Sequence, residues 1–266
     1  MTFNRVQPRR TLKREMRIFL LVFTLMGLTL AFAYDAARLD SLLNRYVNSE
    51  GLVDYTAWKA DDADLSALRT LTDDLASFDP SSLSESERLA FWINAYNAFA
   101  LREVLERYPV ESIRPTDFLG IPERSFFTEE KHVVNGASYS LDEIENDVLR
   151  SEFNEPRIHF AIVCASASCP ELRAEAYTAD KLGAQLNEQA QSFINDPSRN
   201  SYNAATSTAA ISKIFDWFGG DFTAVAASVP AYLTPYADEE ATTVLESPEL
   251  NVEYMSYDWG LNDQAQ

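Results

Sequence analysis

Residues 157–170 read RIHFAIVCASASCP, and these fourteen positions hold His159, one of the chain's two histidines, and both of its cysteines, Cys164 and Cys169. Any thiol or imidazole chemistry therefore starts here. Ile158, Phe160, Ile162 and Val163 form an apolar run closed by small residues and Pro170, a pattern that predicts a buried strand ending near Cys164, with Cys169 in the following turn. A strand here needs partners. The alternation elsewhere supplies candidates at 131–139, around an Asn135-Gly136 turn, and at 208–218 and 251–258.

The most apolar helix predicted lies upstream, over 84–107. Ser84 and Glu87 have capping-box spacing, and from Leu89 to Leu101 the apolar residues wrap nearly all round, so this helix is expected to be central and buried. Asn94 and Asn97, three apart, share one of its faces. A buried amide left unbonded costs about 1–3 kcal/mol, so both must have partners. Further helices are expected at 35–47, before Gly51, at 61–78, from Ser140 to about 149, and at 178–194. The 109–130 stretch, with Pro115, Pro122, Phe126 and Phe127, reads as a long loop able to line a cleft, and 213–222 as a strand-to-turn segment with aromatic anchors. The predicted fold is a single-domain α+β protein whose central buried helix packs on a mixed or antiparallel sheet.

The chain has 266 residues, is 46% hydrophobic and carries a net charge of −19. That composition gives ample material for a core and makes nucleic acid a poor partner, because phosphate binding needs clustered Lys and Arg. Basic residues from Arg5 to Arg17, an uncharged run over 18–33 and small residues at Ala31 and Ala33 predict a signal peptide over 1–33, cleaved before Tyr34 and leaving a domain over 34–266. An uncleaved anchor is the alternative, although about 16 helical residues span roughly 24 Å, short of a hydrocarbon core of about 30 Å. Arg9-Arg10 is similar to a twin-arginine export motif. The expected location is periplasmic or extracellular, with membrane contact only through an uncleaved N-terminus.

Five blocks together resemble the DUF547 family, a domain of unassigned function: FWINAYNAFAL at 91–101, YSLDEIENDVLR at 139–150, RIHFAIVCASASCPEL at 157–172, KIFDWFGGDF at 213–222 and YDWGLN at 257–262. Members of that family often carry His where this chain has Asn146. The layout is also loosely similar to the transglutaminase and papain-like architecture, in which the nucleophilic Cys opens the central helix; here that helix has no Cys.

Two functional readings follow. In the first, the chain is an exported binding or envelope-associated module for a small molecule or peptide, with a Cys164–Cys169 disulfide and a polar pocket where Asn94, Asn97 and His159 converge. Glu145, beside an apolar Ile144 in a resembling block, and Trp217 are assigned to the same pocket. In the second, it is a thiol-dependent hydrolase or acyl transferase with Cys164 as nucleophile, His159 as base and Asn97 orienting the ring. Strand parity opposes that pair, since positions five apart on a regular strand face opposite sides. A zinc site using both cysteines, His159 and His132 lacks the usual ligand spacing, so neither a metal nor a cofactor is expected.

Overall fold

The computed structural model describes Met1, residues 36–114 and residues 125–266. The expected signal segment, its cleavage before Tyr34, the Arg9-Arg10 motif and the middle of the 109–130 loop lie outside the described residues.

The chain is mixed α/β, rich in helix, with two small sheets. Helix α4 (Glu85–Arg107) is its centre. Ser84 accepts from the Glu87 amide while the Glu87 carboxylate takes the Ser84 amide, so the box read from the sequence closes at both ends. Every residue from Leu89 to Leu101 is buried. Helices α1 (Ala36–Tyr46), α2 (Tyr55–Ala60) and α3 (Asp62–Asp74) pack against α4, and Leu39, Leu43, Leu68 and Leu71 share its core. The short α5 (Ser125–Thr128) precedes a hairpin of β1 (His132–Val134) and β2 (Ala137–Tyr139), turned by Asn135 and Gly136 at positive φ.

A helix opened by the Ser140–Glu143 capping box follows and packs on α4. It begins as α6 (Leu141–Glu143), widens into a π segment over Ile144–Leu149 and ends as α7 (Arg150–Glu152). A π segment inserts an extra residue per turn and is often found at functional sites. Glu145 lies within this one and Arg150 directly after it.

Here the structure corrects the expectation that opened the reading. Residues 157–164 are not a strand. Pro156–Phe160 is a 3₁₀ helix, with proline at its start and Glu155 capping the Arg157 amide, and the amides of Ala161 and Ile162 both bond to the Ile158 carbonyl. A short apolar run buried on all sides cannot be told from a buried helical segment by its pattern alone. Burial comes from two cores: Ile158 belongs to the one around α4, whereas Phe160 belongs to a second.

That second core is built by α8 (Leu182–Asn195), by a sheet of β3 (Ser201–Asn203), β4 (Thr208–Ile211) and β5 (Asn251–Tyr254), and by α9 (Ile214–Trp217), α10 (Gly219–Val225), α11 (Val229–Leu233) and α12 (Glu239–Leu245). β4 pairs antiparallel with β3 and parallel with β5. The sheet is thus mixed, but α4 packs on helices rather than on it, and 213–222 is two helices rather than a strand and turn.

Residues 257–263 then cross from the second core back to the first. They bridge Ser166 through Leu261, Ser112 through Gly260 and Val53 through Asp263.

Candidate functional site

The 164–169 loop is fixed from both sides. Asn97 of α4 donates to the Ala161 carbonyl (2.9 Å) and accepts from the Val163 amide (2.8 Å), clamping the backbone that leads into Cys164. From the other side the Ala167 amide bonds to the Gly260 carbonyl, and the Asn262 amide to that of Ala165. Between these holds Ala165 sits at φ +64°, a left-handed conformation that costs an alanine about 1 kcal/mol or more and persists only where the surroundings impose it.

The tightened loop turns hydrogen-bond donors toward one sulfur. Cys164 Sγ lies 2.8 Å from Cys169 Sγ, 3.0 Å from Ser166 Oγ and 3.4 Å from Tyr257 Oη. Burial pushes the Cys164 thiol up, but the bonds from Cys169, Ser166 and Tyr257 outweigh it and bring it down to about 7. The Cys169 thiol goes the other way, raised by burial and by the neighbouring thiolate. Both cysteines are free. The expected disulfide is not shown: the sulfurs stand 2.8 Å apart, beyond the roughly 2.05 Å of an S–S bond.

His159 is buried, its ring stacked at 4.2 Å on Phe218. Its Nε2 meets Asp221 Oδ2 at 2.8 Å. Arg150 holds the same carboxylate in a two-pronged grip, Nε to Oδ2 at 2.6 Å and Nη2 to Oδ1 at 2.9 Å. The hydrogen bond from His159, then that from Arg150, keeps Asp221 well below the usual carboxylate range. Burial keeps His159 below its ordinary value, hence neutral at pH 7. With Nε2–H directed at Asp221, Nδ1 is left as an acceptor 3.9 Å from Glu145 Oε1.

Glu145 keeps 15% of its side-chain exposure, yet its carboxyl is raised to about 8, first by burial and then by the neighbouring Cys164 charge and Asp142. The two shifts oppose each other in sense: the surroundings favour the thiolate at Cys164 and the protonated acid at Glu145.

These groups open onto one cleft of about 160 Å³, lined by Cys164, Glu145, His159 and an aromatic wall. Trp217, 44% exposed, stacks against Tyr257 and Trp259, with centroids 4.8 and 5.8 Å away. The structure thus brings Cys164, Cys169, His159, Glu145 and Trp217 to one place. Replacing the expected strand with a 3₁₀ helix and turn removes the parity objection to His159 and Cys164 sharing a cleft, although no hydrogen bond joins them.

Asn94 and Asn97 are not part of the lining. Asn94 brackets Tyr177 as Asn97 brackets Ala161 and Val163, donating to its carbonyl (2.7 Å) and accepting from its amide (2.9 Å). Asp221, not Asn97, orients the imidazole. His132 is elsewhere, stacked on Phe99 at 4.4 Å, and among the described residues no three His, Cys, Asp or Glu side chains gather as a metal-ligand set. Asn146 is bonded to Arg150.

Sequence reasoning missed Asp221, Tyr257, Ser166 and Arg150. The first two lie in the KIFDWFGGDF and YDWGLN blocks, so pairing each polar residue of those blocks with His159 or Cys164 was the available signal.

Residues 80–194 match the model of the family described as "Protein of unknown function, DUF547", a span that contains α4, Glu145, His159 and both cysteines. No curated protein and no solved structure matches the chain.

Proposed function

For a chain whose residues 80–194 are a DUF547 region, we propose a cysteine-dependent acyl-transfer enzyme, a hydrolase in its simplest form, with Cys164 as nucleophile and Glu145 as general acid and base. The observation that carries this reading is the Cys164 sulfur, held among three hydrogen-bonding side chains, Cys169, Ser166 and Tyr257, on the wall of a cleft that also presents the Glu145 acid. In acylation, the Cys164 thiolate attacks the carbonyl carbon of an ester, thioester or amide. The bond to the leaving group breaks, and that group takes the Glu145 proton. In deacylation the Glu145 carboxylate draws a proton from water, the resulting hydroxide attacks the thioester, and the carboxylic acid leaves as the Cys164 thiolate is restored. His159, fixed by Asp221, faces the Glu145 carboxyl with Nδ1 at 3.9 Å. The likeness to the transglutaminase and papain-like architecture enters the proposal only as a buried central helix behind a thiol; here the thiol comes from the loop after the 3₁₀ helix.

The test is alkylation of the native protein with iodoacetamide, without reductant, across pH 5–9, beside hydrolysis of 4-nitrophenyl acetate and a simple acyl thioester. The expected result is single modification of Cys164 with a midpoint near pH 7, and hydrolysis that vanishes in Cys164→Ala. Cys164 that resists alkylation until denatured and reduced, or hydrolysis that survives Cys164→Ala, would remove the enzymatic reading.

Those outcomes would leave a binding module for a small molecule or peptide, a reading favoured by the exposed Trp217 within its aromatic wall. Export to a periplasmic or extracellular space belongs to the proposal under either reading. It is supported by the basic residues before the uncharged run over 18–33, and the intact mass of protein recovered outside the cytoplasm tests it, cleavage before Tyr34 being the expected outcome.

A further inference from the structure

Arg114 is a cation of this cleft that the acyl-transfer chemistry does not use. It is held against residues 257–263. The Arg114 amide donates to Ser112 Oγ (3.1 Å), Ser112 Oγ donates to the Trp259 carbonyl (2.6 Å), and the guanidinium lies 4.4 Å from the Trp259 ring centroid. Stacking of this kind fixes the plane of a guanidinium and leaves its edge donors to be met by something else. Its Nε is closed off from solvent and, among the described residues, has no hydrogen-bond partner, so the donors open to a ligand in the cleft are the terminal nitrogens of the guanidinium. The planar fork matches a carboxylate, and beside it the Trp217–Tyr257–Trp259 wall offers apolar surface rather than further polar partners.

We propose that this cleft recognises acyl compounds carrying a free carboxylate at the end remote from the reacting carbonyl. Arg114 takes the carboxylate, the aromatic wall covers the intervening carbons, and the carbonyl falls at Cys164. The last clause rests on the acyl-transfer reading; the carboxylate subsite itself does not.

Binding is measured by protection of Cys164 from iodoacetamide, using 4-phenylbutanoate and its neutral counterpart 4-phenylbutanamide, each expressed relative to the ligand-free alkylation rate of the same protein. The acid is expected to protect at concentrations at least tenfold lower than the amide. In Arg114→Gln that advantage disappears, and in Arg114→Lys, which keeps the charge but loses the fork, it is reduced. Equal protection by acid and amide in the unaltered protein overturns the proposal, as does an advantage for the acid that survives Arg114→Gln. The unaltered-protein comparison decides the matter even if both variants fail to fold. Calorimetric titration of the same acid and amide gives the same comparison where Cys164 does not alkylate, so failure of the acyl-transfer reading leaves this result standing, and the converse also holds.

Discussion

Asn97→Ala separates a structural amide from a catalytic one. In the structure Asn97 closes two buried hydrogen bonds, to the Ala161 carbonyl and the Val163 amide. Alanine leaves both backbone groups without a partner, and each buried orphan costs about 1–3 kcal/mol. The expected loss is therefore roughly 2–6 kcal/mol, a large share of the 5–15 kcal/mol typical of a folded domain. At about 2–4 °C per kcal/mol for a domain of this size, the melting temperature should fall by at least 4 °C. Calorimetry or thermal circular dichroism gives the number, and Asn94→Ala, which breaks the matching bracket at Tyr177, is expected to behave alike. Had Asn97 served to orient His159, the variant would melt with the parent and lose only Cys164 reactivity. A melt within 1 °C of the parent would refute the bracket.

Three further outcomes follow from the site and its frame. Tyr257→Phe removes one donor to the Cys164 sulfur, so the iodoacetamide midpoint should move above about 7 and labelling at pH 6 should slow; an unmoved midpoint would show that Tyr257 does not tune the thiol. Glu145 titrates near 8 when folded, above its ordinary 4.5, so its contribution is fully present below about pH 4.5 and is lost as pH rises toward 8. Glu145→Gln should consequently flatten that part of the stability profile and, by a few kcal/mol at most, stabilise the protein at pH 8; an unchanged slope in denaturant melts at pH 5, 6.5 and 8 would contradict it. Gly51 has φ +71°, and a Cβ there would stand 2.7 Å from the backbone of Glu171 and of Leu172. Gly51→Ala should thus cost more than about 1 kcal/mol, read as a lower denaturation midpoint with an unchanged slope.

What was legible in the sequence follows from where the physics is local. The α4 boundaries, its cap and its burial came from a capping box and an apolar run whose partners lie within a few residues. The hairpin came from Asn135-Gly136 in the same way. By contrast, residues 157–164 are apolar because two cores meet there, and the same letters suit a buried strand or a buried 3₁₀ helix; only tertiary contacts decide between them. The site was half legible for a similar reason. Cys164, His159 and Glu145 are rare or conspicuous residues, whereas Asp221 reaches His159 across 62 positions and Tyr257 reaches Cys164 across 93, distances at which no periodicity carries information.

That last separation has a consequence in time. At a synthesis rate of about 5–20 residues per second, Cys164 emerges roughly 5–20 s before Tyr257 exists. Throughout that interval the sulfur lacks a donor, its loop lacks the neighbours at 260 and 262 that fix it, and it behaves as an ordinary thiol, mostly protonated at neutral pH. The nascent chain thus carries Cys164 as an unperturbed thiol, and its downward shift arrives only when the 257–263 segment has docked.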